Sequence, residues 1–145
     1  MNEHFEKVIS GKICPYCECE TKLVGGEVIF PHRTSENPKP PFLLKKYYVC
    51  IKNQDHYVGT YSDNLKSLGR LADPVLRNLR SEGHKVFDPL WKEQGVFKTQ
   101  RKAYEWLSIS MDIPFRYTHF GMFSVEQCNE AIRLVTETYG NILSG

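Results

Sequence analysis

Residues 14–20 read CPYCECE, from Cys14 to Glu20, with three cysteines inside six positions. Cys14 and Cys17 have the Cys-x-x-Cys spacing of a metal-binding knuckle, and Pro15-Tyr16 between them suits a tight turn whose backbone N–H groups reach the thiolates. A tetrahedral site needs a second pair. That pair starts at Cys50 in CIKNQDH, residues 50–56, where His56 is the one Cys or His close behind it. The spacing predicts a zinc site of Cys14, Cys17, Cys50 and His56, with Asp55 and Cys19 as alternatives for the fourth position. Cys19 reads as a spare thiol on the outgoing strand, because Cys-x-Cys is a less usual chelate. Four protein donors leave no position for water, so the expected site is structural rather than catalytic.

The flanking sequence fits a ribbon around such a site. TKLVGGEVIF, residues 21–30, reads as two short strands about Gly25-Gly26, a turn pair that closes hairpins. PHRTSENPKPP, residues 31–41, has four prolines in eleven positions and is expected to be an exposed loop. FLLKKYYVC (42–50) and HYVGTY (56–61) return as β-rich runs.

From Asp73 the apolar period becomes helical, with Asp73 as N-cap and Pro74 at the first helical position. Gly83 looks like a weak point in that helix. Asp88-Pro89 repeats the cap pattern and predicts a short second turn. A further helix is expected over 99–111, and a last one from Ser124, where Ser124 and Gln127 make a capping box and Gly140 marks the end. THFGMFS (118–124) is apolar enough to read as a buried connection. The expected core is Leu76, Leu79, Phe87, Leu90, Trp91, Tyr104, Trp106, Leu107, Phe120, Met122, Phe123 and Val125. The fold class is thus α+β: a zinc-ribbon-like β module over 1–62, then a helical region over 63–145.

With 145 residues, 41% apolar and 25% charged, the chain has the composition of a globular protein and not of a disordered one. No apolar run is long enough for a membrane span. MNEHFEKVISGK carries two acids and no apolar stretch, unlike a secretory leader, so the expected compartment is the cytoplasm. Five cysteines, an odd number, favour reduced thiols and metal ligation over a disulfide framework.

Taken together, CPYC, YYVC with HYVGTY, LGRLAD, FDPLW, RKAYEWL and HFGMFSVEQC resemble the family of zinc-finger-containing domains of unknown function found in bacterial and phage proteins. The likeness runs from Lys12 to Val135, and FDPLW and HFGMFSVEQC are its most specific parts. It implies a metal-binding N-terminal half joined to a helical half, with no established activity, and it aligns Cys14, Cys17 and Cys50 with family cysteines. Where the family more often has a fourth cysteine, just before HYVGTY, this chain has Gln54, Asp55 and His56.

The net charge is +1 over residues 1–60, +4 over 61–102 and −3 over 103–145, so an anionic partner is expected at the middle. Arg70, Arg77, Arg80, Lys85, Arg101 and Lys102 are the candidate phosphate contacts. Tyr47, Tyr48, Tyr57 and Tyr61 are either stacking platforms for bases or the ribbon's own core. The favoured function is a zinc-binding accessory or regulatory protein that associates with nucleic acid and has no catalytic activity. The alternative is an adaptor, such as a phage or mobile-element factor that binds a host protein, with a purely structural zinc. For catalysis only Asp55-His56, His84 and His119 are available, and no second metal-ligand spacing follows them.

Overall fold

The computed structural model describes residues 3–143, in two compact units, Met1–Pro74 and Val75–Gly145. It is α+β, with the strands in the first unit and most of the helix in the second.

The first unit opens with helix α1 (Glu3–Ile9), which the sequence reading did not identify; Val8 and Ile9 are its buried residues. Strands β1 (Thr21–Gly25), β2 (Lys46–Cys50) and β3 (Tyr57–Gly59) form one antiparallel sheet in chain order. The hairpin expected at Gly25-Gly26 is not formed. Instead the chain turns into a four-residue helix, α2 (Gly26–Ile29), and β1 pairs with β2 twenty residues downstream, Thr21 opposite Cys50 and Leu23 opposite Tyr48. Gly26 serves close packing instead of a hairpin turn: a Cβ there would lie 2.6 Å from the Leu43 carbonyl oxygen.

Strand alternation gives the sheet two faces. One carries Leu23, Tyr48, Cys50 and Val58, and Cys50 and Val58 pack with Cys14 and Leu71. The other carries Tyr47 and Tyr57, whose rings meet edge-on at 5.8 Å and are covered by Phe30 at 5.8 and 5.9 Å. Phe42 packs on Phe30, and its carbonyl accepts the Tyr47 hydroxyl at 2.8 Å. The long connection 26–45 therefore supplies the lid for this face. Beyond β3, Ala72 and Tyr57 exchange both backbone hydrogen bonds, and Leu68 N–H donates to Gly59, which ties the chain up to Pro74 into the same unit.

Helix α3 (Pro74–Phe87), which lies in the second unit from Val75 on, runs almost directly into α4 (Pro89–Lys92), followed by α5 (Gln100–Met111) and α6 (Val125–Leu143). Asp88 does not cap α4: its backbone is helical, and its carboxylate faces His84 and Lys92. Thr99 caps α5 through Lys102 N–H, and Asp112 ends it in the left-handed conformation. At the start of α6, Ser124 Oγ accepts Gln127 N–H while Gln127 Oε1 accepts Ser124 N–H. Gly140 does not end this helix, which continues to Leu143; its φ is not positive, so it never adopts the left-handed cap.

Phe87, Phe120 and Phe123 are fully buried, with Leu76, Leu90, Tyr104, Leu107, Cys128, Ala131 and Val135 around them. Leu79, Trp91, Trp106, Met122 and Val125, expected in the core, are only half-buried. Trp106 instead lies between the rings of Phe97 and Tyr139 at 5.8 and 5.2 Å. Gly83 is no weak point. A Cβ there would lie 2.7 Å from Cδ1 of Phe120, so the missing side chain makes the room that Phe120 fills. The connection 118–124 holds the short 3-10 turn Phe120–Met122 and follows another, Phe115–Tyr117; Thr118, Phe120 and Phe123 are buried, and the Thr118 hydroxyl donates to the Pro114 carbonyl at 2.8 Å.

Candidate metal centre

The knuckle is built by a left-handed residue. Glu18 has φ +54°, which lets Cys14 N–H donate to Cys19 O and Glu18 N–H to Cys14 O, both at 2.9 Å, before Ile13 and Glu20 pair across the loop. Strand β2 then delivers Cys50 beside it, and the turn 51–56 brings His56 back: Cys50 N–H donates to His56 O at 3.0 Å.

The Sγ atoms of Cys14, Cys17 and Cys50 and a ring nitrogen of His56 all lie within 4.8 Å of one another. Nδ1 of His56 is 3.5 Å from Cys14 Sγ and 3.7 Å from Cys17 Sγ. Zinc–sulfur and zinc–nitrogen bonds of about 2.3 and 2.0–2.1 Å at tetrahedral angles give a sulfur–nitrogen edge of about 3.6 Å. The cluster thus has the size of a tetrahedral cation site, and three thiolates with one imidazole are a donor set that suits zinc. Tyr16 stacks on the imidazole, with ring centroids 4.5 Å apart. The other ring nitrogen, Nε2, is 3.5 Å from the side-chain amide nitrogen of Asn53.

Backbone groups prepare the sulfurs for negative charge. Lys52 N–H donates to Cys50 Sγ at 3.3 Å. Burial works against ionisation of Cys50, but the N–H groups of Lys52 and Asn53 and the Cys19 and Cys17 thiols outweigh it and bring the thiol down to about 6. Burial pushes Cys14 up to about 12. A bound divalent cation would offset the burial that holds the proton on Cys14.

Of the two alternative donors, Asp55 is exposed and outside the converging group. Cys19 also lies outside it, with Sγ 3.3 Å from Cys50 Sγ.

Of the six candidate phosphate contacts, Arg70 is in the first unit and the other five are in the second. Arg80 is half-buried and donates to the Gly121 carbonyl at 2.7 Å, a structural task that its sequence neighbours do not reveal. Lys85 pairs with Glu82 at 3.4 Å; Arg101 pairs with Glu105 at 3.8 Å and lies over the Phe115 ring. Arg77 is half-buried on α3, and Lys102 is exposed in the first turn of α5. Tyr47 and Tyr57 belong to the ribbon core, while Tyr61 is exposed.

Sequence reasoning passed over a different set of cations. Lys22, Lys45, Lys46, Lys52 and Lys66 are exposed on the ribbon, and none has a carboxylate partner among the described residues. Of these only Lys22 and Lys46 lie on strands, on opposite faces of the sheet, so no strand pattern in the sequence marks the five as a set. No helix among the described residues is long and apolar enough to cross a membrane.

A family model described as a zinc-finger-containing domain matches residues 10–138. No curated protein and no solved structure matches the chain.

Proposed function

The chain belongs to the family of zinc-finger-containing domains, and from this premise we propose that it is a non-catalytic binding module that associates with nucleic acid through its zinc-stapled ribbon. Cys14, Cys17, Cys50 and His56 would hold zinc and fill its four positions, so the ion would staple the fold and leave no place for a reacting water. With few buried side chains on either face of a three-stranded sheet, such a staple supplies stability that the ribbon core lacks.

The observation that carries the nucleic-acid reading is the unpaired set Lys22, Lys45, Lys46, Lys52 and Lys66 on the ribbon. Free ammonium groups gain by displacing counterions from phosphates, whereas Lys85 and Arg101 would first lose their own carboxylates. The reading therefore shifts the phosphate contacts from Arg70, α3 and α5 to these lysines.

Fluorescence anisotropy with labelled single- and double-stranded oligonucleotides at two salt concentrations tests it. Binding should weaken as salt rises, with a log–log slope of about −0.7 to −0.9 per phosphate contacted. Lys45→Gln with Lys46→Gln and Lys66→Gln should reduce that slope, and Lys85→Gln with Arg101→Gln should not. No binding at low salt would sink the proposal.

One observation favours the adaptor reading instead. Leu23 stands opposite Tyr48 on the sheet, the Tyr48 hydroxyl donates to the Leu65 carbonyl, and Leu23 and Leu65 are 42% and 40% exposed. An apolar strip of this kind would dock a protein with little dependence on salt.

A further inference from the structure

A fifth donor stands beside a site with four positions. The fifth is Cys19, held next to Cys50 by backbone on both sides: Ile51 N–H donates to Glu20 O, and Thr21 pairs with Cys50 in the sheet. Their sulfurs are 3.3 Å apart, inside the edge of about 3.8 Å expected between two thiolates on one zinc. Cys50 is 3% exposed, while Cys19 is only half-buried and is outside the converging donor group. A small oxidant thus meets Cys19 first, and the sulfur next to it is one of the candidate metal ligands.

We propose that Cys19 and Cys50 are a redox-active pair, in which oxidation by a hydroperoxide joins them as a disulfide and withdraws one donor from the metal centre. The inference rests on the reading of the cluster as a zinc site. In the first step Cys19 gives up its thiol proton and the thiolate attacks a peroxide oxygen, the O–O bond breaks, Cys19 becomes a sulfenic acid, and the released proton ends on the alcohol or water formed. In the second, the Cys50 thiolate attacks that sulfur, the S–O bond breaks, and hydroxide leaves to take a proton from solvent as water. Each sulfur loses one electron and the peroxide gains two. Three donors, Cys14, Cys17 and His56, remain, and the ion gains an open position from which it can leave. A thiol reductant reverses the disulfide and restores the site.

The test uses the full chain loaded with zinc and treated with graded hydrogen peroxide. Released zinc is followed with a chromophoric chelator, and disulfides are mapped by mass spectrometry after alkylation without reductant. Zinc release should accompany a Cys19–Cys50 disulfide and reverse with dithiothreitol. In Cys19→Ser and Cys19→Ala, both of which should still bind zinc, release should slow by at least about tenfold, because Cys50 has lost its partner. Release as fast as in the parent protein, or a mapped Cys14–Cys17 bridge in place of Cys19–Cys50, would overturn the proposal. If the chain binds no zinc, the metal reading fails, yet the disulfide map still decides whether Cys19 and Cys50 react as a pair.

Discussion

Cys14 Sγ lies 3.5 Å from Nδ1 of His56, forty-two residues later in the chain. That proximity closes the ribbon: it links the knuckle before β1 to the turn after β2, so one ion bound there would fix both ends of the sheet.

Gly83 and Gly140 are both helical glycines, and replacing each by alanine should have opposite effects. At Gly83 the new methyl group collides with buried Phe120, so overpacking of about 1–3 kcal/mol should outweigh the gain of about 1 kcal/mol in helix propensity. Urea unfolding followed by tryptophan fluorescence reads this directly, since Trp91 and Trp106 are the two tryptophans and both lie in the second unit. A midpoint unchanged in Gly83→Ala would mean that Phe120 can move aside.

At Gly140 the nearest atom to an added Cβ is Thr136 Cγ2 at 3.8 Å, an ordinary contact, and the backbone is not left-handed. Gly140→Ala should raise stability by about 0.5–1 kcal/mol. The same unfolding curve checks it, and a fall in midpoint would contradict the continuous helix through this position.

The reciprocal Ser124–Gln127 bonds satisfy two N–H groups at the start of α6. Ser124→Ala should cost about 1 kcal/mol, and Ser124→Asp should recover most of it, because aspartate caps as well as serine. Equal losses in both variants would show that the hydroxyl does something other than cap.

His119 is half-buried beside Tyr104 and Phe115, and burial lowers its pKa below the ordinary histidine value. The folded state therefore prefers the neutral ring. Its contribution to stability is complete above the unfolded pKa of about 6.5 and is lost as pH falls through the lower folded value. Unfolding midpoints measured from pH 7.5 to 5 should fall more steeply for the parent protein than for His119→Gln. Parallel curves would contradict this assignment.

The residues that hold the candidate site were legible because chelate spacing is local. Cys14 and Cys17 announce a knuckle by themselves, and Cys50 and His56 follow from the need for a second pair. Helices α3, α5 and α6 were legible from period and caps. What failed depended on partners far away in sequence. Gly25-Gly26 has the composition of a hairpin turn, but the close approach of Leu43 to Gly26 decides its role. Gly83 reads as a defect until Phe120 is seen beside it, and Arg80 reads as a surface cation until Gly121 accepts its proton. Helix α1 escaped notice because three apolar residues in seven, Phe5, Val8 and Ile9, make too short a stripe to register as a period.

Metal analysis of the parent chain beside His56→Ala and Cys19→Ser tests the central claim most directly, with cobalt(II) spectra reporting the donor set. The expected result is one tetrahedral ion per chain in the parent protein and in Cys19→Ser, and weakened binding with an altered spectrum in His56→Ala. Retention of the ion by His56→Ala together with its loss from Cys19→Ser would place the fourth ligand at Cys19, and no bound metal in the folded parent chain would contradict the staple altogether.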